Sequence, residues 1–329
     1  MSTPNKLPNT LVEVVRHFAD LDVANQLMAS VRWPEGVTCP YCEGTEHSFI
    51  STRRTWACKG CKKRFTVKVG TVMEDSPIGL DKWIVAMWLL ADCKNGISSH
   101  EVARHLGISQ KSAWFLMHRI RLAMQRGTWE QFEGHVEADE TYIGGKAKNM
   151  HSKQRKLKIK GTGAIGKAVV MGMLRRTQGK VKSEVQVKVI KNNRKGTVQG
   201  ELRAHVAPGS QIYTDALASY NGLNADYVHQ TIDHAVCYAI GKVHTNGIEN
   251  FWCLLDRSID GTYVSVDPDH LPKYVDEQAF RFNEREFSPR ERFLKAAQGV
   301  TGKRLTWEEL VYRAESNKPR RGGGKRKPS

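Results

Sequence analysis

Apolar residues recur at helical intervals from the start of the chain. Leu11, Val14, Val15, Phe18, Leu21, Ala24, Leu27, Met28 and Val31 put an apolar face on a helix over residues 8–33, and Pro34-Glu35-Gly36 ends it. Leu80–Cys93 is strongly apolar, which predicts a buried helix, with Asn95-Gly96 as its stop. Two further helices, Ser98–Leu106 and Ser109–Met124, are separated by Gly107-Ile108. Ser98 or Ser99 and then Ser109 stand where N-caps are needed, and Glu101 lies near the first N-terminus. Trp114, Met117, Ile120 and Met124 form a buried stripe along the second helix. Helix, tight turn, helix is the pattern of a DNA-binding helix-turn-helix, although an ordinary helical hairpin shares it. On the DNA-binding reading, the exposed face of the second helix offers Gln110, Lys111, His118, Arg119 and Arg121.

Beyond residue 133 the apolar period changes toward two. Val136, Ala138 and Thr141–Ile143 suit a strand ended by Gly144-Gly145, and Lys167–Leu174 and Glu184–Ile190 are two more. A helix over Arg194–Val206 follows, then short strands at Ile212–Tyr213 and Tyr227–Gln230. Helices over Asn246–Arg257, Asp269–Glu286 and Trp307–Glu315 complete the series. This order predicts an α/β unit with a mixed sheet, antiparallel strands first and crossovers after.

Composition adds a partner. With 329 residues the chain is long enough for two or three units, and 51 Lys+Arg against 34 Asp+Glu give a formal charge of +17. The excess is uneven: Thr141–Ser183 holds twelve Lys or Arg and no acid, and Asn317–Ser329 adds six more. Such a distribution favours a polyanion, with nucleic acid ahead of an acidic membrane surface. The longest apolar run, Trp83–Ala91, is too short to span a bilayer, and MSTPNKLPNT has no signal-peptide core. No membrane partner is expected, and the expected location is cytoplasmic, in association with the nucleoid.

Four of the seven cysteines are grouped. Cys39-Pro-Tyr-Cys42, fifteen residues, then Cys58-Lys-Gly-Cys61 is zinc-ribbon spacing, because each knuckle turns two thiolates onto one tetrahedral ion. Trp56 and Phe65-Thr-Val suit the ribbon's hairpin. Four thiolates close the coordination shell, so this Zn²⁺ is structural and supplies on the order of 10 kcal/mol of apparent folding energy. Arg53, Arg54, Lys59, Lys62, Lys63 and Arg64 surround it and suit phosphate contact.

The strand over 135–143 carries Glu137, Asp139 and Glu140, which is costly unless the charges lie at an edge, at a strand end or on a cation. Asp215, just after the fourth strand, and Glu249, in a late helix, are acids that such a fold brings to Asp139. Gathered carboxylates bind Mg²⁺ or Mn²⁺, and two ions about 4 Å apart would serve phosphodiester chemistry. Glu137 points the same way as Asp139 in a regular strand and Glu140 the other way. Any one of these acids alone would more ordinarily be a solvated surface group. His234 and His244 lie where they could assist.

The segments VEADETYIGGK, YTDALASY, HTNGIENFW, GTYVSV and YVDEQAFRFNER, in that order, resemble the DDE transposases of bacterial insertion sequences. The nearest likeness is to the ISXO-like group, with its N-terminal zinc ribbon and helix-turn-helix, and it spans residues 15–290. The resemblance implies a ribonuclease-H-like catalytic domain that cuts and rejoins transposon ends with Mg²⁺, using Asp139, Asp215 and Glu249. Thirty-three residues lie between the last two. It also implies binding to terminal inverted repeats and action as a homo-oligomer. Gln110, Lys111, Arg119, Lys146, Lys156, Lys160 and Arg257 are the expected DNA contacts. The chain then divides into a helical segment (1–36), a zinc ribbon (37–72), a helix-turn-helix (78–127), the catalytic domain (133–290) and a C-terminal helix with basic tail (291–329).

One position departs from the group. Lys is usual seven residues after the third acid, where this chain has Asp256, and Arg257 lies about 100° further round the helix. That departure keeps open a second reading, a DNA-binding regulator derived from a transposase with catalysis lost. A junction-resolving nuclease on the same fold accounts less well for the N-terminal modules. Asn246, one turn earlier, is the rival to Glu249 as third ligand.

Overall fold

The structure is a computed structural model that describes residues 7–126, 130–144, 167–232 and 243–316. The chain begins with two helices, α1 (Leu11–Phe18) and α2 (Leu21–Arg32), where the apolar periodicity predicts one. The break is a capping event. Thr10 and Glu13 form a capping box on α1, and Asp20 turns extended so that its carboxylate accepts the Asp22 N–H at the start of α2. A three-stranded antiparallel sheet follows: β1 (His47–Ile50), β2 (Thr55–Cys58) and β3 (Arg64–Phe65). Trp56 pairs with Phe65 across it, and the two rings stack at 5.9 Å.

The next helices are α3 (Leu80–Asp92), α4 (Ser99–Leu106) and α5 (Gln110–Met124). Ser98 and Glu101 form the capping box of α4, Gly107 closes it in the left-handed region at φ 60°, and Ser109 caps α5. The second body is a five-stranded sheet of β4 (His135–Ile143), β5 (Ala168–Arg175), β6 (Glu184–Ile190), β7 (Gln211–Asp215) and β8 (Val228–Ile232), with α6 (Lys195–His205) between β6 and β7. After β8 come α7 (Asn246–Asp256), a π-helical segment Arg257–Tyr263, α8 (Leu271–Asn283), α9 (Pro289–Gln298) and α10 (Trp307–Ser316).

The sheet order is β6-β5-β4-β7-β8, with β4 antiparallel to β5 and parallel to β7. This is the expected mixed α/β sheet of the ribonuclease-H-like kind. Val136, Ala138, Met171, Val198 and Leu202 pack α6 on one face, and Val170, Leu174, Ile248, Phe251 and Val275 pack α7 and α8 on the other. Among the described residues no helix is long and apolar enough to cross a membrane.

A single apolar core runs from Val14 to Met124 and takes in Phe293, Ala296, Ala297 and Val300 from the chain's last third. As a result α5 is covered by α3, α8 and α9, and the exposed face expected for it needs correction. His118 is fully buried among Trp114, His270 and Tyr274. Arg119 is 7% exposed and spends its guanidinium on the Leu305 and Glu74 carbonyls, so it is not available to DNA. Arg121 is buried against Glu277. Only the first turn stays open, where Gln110 donates to Ser99 and Lys111 lies 4.4 Å above the Trp307 ring.

Arg121 belongs to a buried network that joins the two bodies. Glu277 accepts from Arg121 on α5, from Arg281 one turn on, and from the Tyr263 hydroxyl at 2.5 Å. Burial alone would push the Glu277 carboxyl up, but Arg281 and Arg121 outweigh it and hold it at about 2. Ser258 donates to the Asn95 carbonyl, which fastens the π-helical segment to the turn after α3. Glu277→Gln leaves two buried guanidinium groups facing a neutral amide and is expected to destabilise the protein by about 3–5 kcal/mol. Urea unfolding at pH 7 measures this, and a loss below about 1 kcal/mol would count against the network's role.

Candidate active site

The candidate site sits where β4, β7 and α7 meet. In the parallel register of β4 and β7 the last pair is Glu137 with Tyr213, and two residues on stand Asp139 and Asp215. Opposite Asp139 on the other side of β4 is Gly172 of β5. A Cβ at Gly172 would lie 2.7 Å from both Ile248 and Trp252, so the missing side chain is what lets α7 settle onto the sheet. Trp252 then reaches over β5, and its Nε1 donates to Asp139 Oδ2 at 2.9 Å.

Each acid is oriented by a donor. Asp139 Oδ1 accepts the Glu140 N–H at 2.8 Å, and Asp215 Oδ1 accepts the Leu217 N–H at 3.1 Å. Glu249 Oε1 accepts the Thr245 hydroxyl at 2.7 Å. Burial pushes the Asp139 carboxyl up to about 6, with the Asp215 and Glu249 carboxylates adding to the rise. The carboxylates of Asp215 and Glu249, from two other elements, therefore both act on Asp139. Asn246, the rival third ligand, is exposed at the first position of α7.

Glu140 faces the other side of β4, as strand alternation requires. Burial pushes its carboxyl up to about 7, with Asp139 and Asp215 adding, and its buried Oε1 finds no hydrogen-bond partner among the described residues. Glu137 is 1% exposed and is engaged by Arg176 and by the start of α7 rather than by Asp139. His244 lies beside the same Arg176. Two functional neighbours escape sequence reasoning. Trp252 looks like a packing residue, although a buried indole N–H needs an acceptor and that need was the available signal. Arg176 counts as one more cation of the acid-free run, yet it is tied inward.

Of the expected DNA contacts, Gln110 and Lys111 are exposed on α5, and Arg257 is exposed at the end of α7 beside Asp256. Lys146, Lys156 and Lys160 lie outside the described residues, as do His234 and the basic tail.

The four grouped cysteines come together as their spacing predicts. Their Sγ atoms lie within 4.8 Å of one another, with Cys39–Cys61 and Cys42–Cys58 both at 3.6 Å. Tetrahedral zinc–thiolate bonds of about 2.3 Å place sulfurs about 3.8 Å apart, so the cluster fits Zn²⁺. The Cys61 and Gly60 N–H groups turned toward the Cys58 sulfur help hold that thiol down to about 7. Among the described residues no carboxylate group is drawn together as tightly.

Comparison with known proteins agrees with this geometry. Residues 131–283 match the ISXO2-like transposase domain, and residues 22–64 match the transposase zinc-ribbon domain. A protein in the transposable element ISH50 of Halobacterium salinarum is 25% identical over 287 residues, covering 83% of this chain and 94% of the relative. A transposase-like protein of Haemophilus influenzae is 30% identical over 116 residues, 35% of this chain and 94% of that protein. With the ribbon and the mixed sheet in place, residues 131–283 are an ISXO2-like transposase domain, carried behind a transposase zinc ribbon at residues 22–64.

Proposed function

We propose that this transposase binds the terminal inverted repeats of its element and cuts and rejoins DNA at Asp139, Asp215 and Glu249. The observation that carries the reading is the convergence of these carboxylates from β4, β7 and α7, where Asp215 and Glu249 both strengthen Asp139's hold on its proton. A buried Asp139 repelled by two further hard oxygen donors fits Mg²⁺ or Mn²⁺. Bound there, divalent ions would supply activation of a water or 3′-hydroxyl and stabilisation of the leaving oxygen.

The chain's own groups hold the acids for that task. Trp252 and the Glu140 N–H fix both oxygens of Asp139, the Leu217 N–H turns Asp215, and the Thr245 hydroxyl turns Glu249. The basic face of the ribbon and the first turn of α5, with Gln110 and Lys111, read or grip the DNA. Lys146, Lys156 and Lys160 of the acid-free run, with Arg257, hold its phosphates near the acids. Two ends must be cut and joined together, so the acting form is a multimer.

One observation favours a second reading. Asp256, exposed at the end of α7, places a negative charge where a DNA phosphate contact is usual, which suits a DNA-binding regulator without catalysis. The test is the purified full chain with Mg²⁺ or Mn²⁺ and duplex DNA carrying the element's ends. Nicking at the ends and joining to target DNA are expected. Specific end binding with neither would shift the assignment to the regulator.

A further inference from the structure

The first turn of α7 is capped in an unusual way. Thr245 stands at the N-cap without a side-chain capping bond, and its hydroxyl donates to Glu249. A side-chain acceptor for the first turn comes instead from another strand. Glu137 Oε2 accepts the Ile248 N–H, third in the helix, at 2.9 Å. Gly247 makes room for this approach: a Cβ there would lie 2.8 Å from Glu137 Oε2.

The other oxygen of Glu137 is equally committed. Arg176 Nε donates to Glu137 Oε1 at 2.7 Å, and its Nη2 donates to the His244 carbonyl, just before the helix, at 2.5 Å. The Arg176 guanidinium also lies 4.0 Å over the Tyr213 ring, two residues before Asp215. One buried carboxylate and one guanidinium thus touch β4, β7 and the start of α7, the three elements that carry the candidate acids.

We propose that Glu137 and Arg176 form a positioning pair that sets the first turn of α7, holds Thr245 where it orients Glu249, and thereby sets the divalent-ion affinity of the site. The proposal rests on the reading of Asp139, Asp215 and Glu249 as metal-holding acids. Glu137 acts through Glu249 and stays clear of the reacting DNA.

The test is Mn²⁺ affinity of the full chain without DNA, measured by electron paramagnetic resonance, with Asp139→Asn as the blank. Glu137→Gln is expected to weaken the binding by about tenfold to a hundredfold. Gly247→Ala keeps every charge, presses most closely on the Glu137 carboxylate with Leu174 at 3.1 Å as the other near neighbour, and should do the same, which covers the case in which Glu137→Gln does not fold. In a Glu249→Gln background the Glu137 substitution should add nothing, because its route to the metal is already gone. Wild-type affinity in the folded variants, or an additive further loss in the Glu249→Gln background, would overturn the proposal. A wild-type signal no different from the Asp139→Asn blank would remove the metal-site reading itself, and the proposal with it.

Discussion

Asp139→Asn is expected to reduce strand cleavage by about a thousandfold or more while making the metal-free protein more stable at neutral pH. The substitution keeps the size of the side chain, removes the charge that holds a divalent ion, and leaves one acceptor oxygen for the two donors, Trp252 and the Glu140 N–H. A thousandfold loss corresponds to about 4 kcal/mol of transition-state stabilisation, within reach of one metal ligand. The stability change has the opposite sign. Asp139 is raised from 3.8 to about 6, chiefly by burial. Below pH 4 both folded and unfolded chains carry the proton, and the favourable contribution is complete. Between pH 4 and 6 the unfolded chain has lost a proton that the folded chain keeps, so stability falls as pH rises. Above pH 6 the ionised group costs the fold roughly 2–3 kcal/mol. Asn escapes that cost but gives up one acceptor at every pH, so its stability relative to wild type should be greater at pH 8 than at pH 4. Saturating Mg²⁺ should stabilise the wild type and not the variant, by mass action. Gel assays of end cleavage and urea unfolding at both pH values, with chelator and with Mg²⁺, make the comparison. Cleavage within tenfold of wild type would rule out Asp139 as an essential ligand.

Zinc removal should have the second largest effect and should not stay local. The ribbon's strands are two to four residues long, so four thiolates on one ion supply most of its order, on the order of 10 kcal/mol apparent. Its hydrophobic side is shared with the helices. Trp33, at the end of α2, packs edge-on against Trp56 at 5.4 Å and against Phe65 at 6.0 Å, and Arg32 donates to the Val67 carbonyl. Loss of the ribbon therefore uncovers α2 and the core beneath it. Cys42→Ser, or a strong zinc chelator, should release one zinc per chain, redden and weaken tryptophan emission, and abolish specific end binding. Zinc-free protein with unchanged fluorescence and circular dichroism would mean that the four cysteines do not depend on a metal.

Which features could be read in advance follows from how local their causes are. The cysteine knuckles, the capping box at Ser98, the left-handed stop at Gly107 and the alternation along β4 are written within a few residues of where they act. The three acids needed only the order of elements to be drawn together. The single helix drawn over 8–33 failed because Asp20 is as plausible on a solvated face as at a cap. The exposed face of α5 failed for a different reason. His118, Arg119 and Arg121 point in several directions around the helix, and what covers them comes from residues 270–305, far along the chain. Trp252 and Arg176 find partners 113 and 39 residues away, distances at which no periodicity carries a signal.

The closing of the first core by α9 and by Val300 bears on how the protein is made. Val72 and Gly302 lend their N–H groups to Val300 and Gly70, so the chain's last stretch is stitched to a turn laid down near its beginning. A ribosome delivers α1 to α5 first, but their shared core lacks one wall until residues 289–302 emerge. The N-terminal core is thus completed only after the five-stranded sheet has been synthesised. On the transposase reading, a chain whose first core is closed already carries its candidate acids.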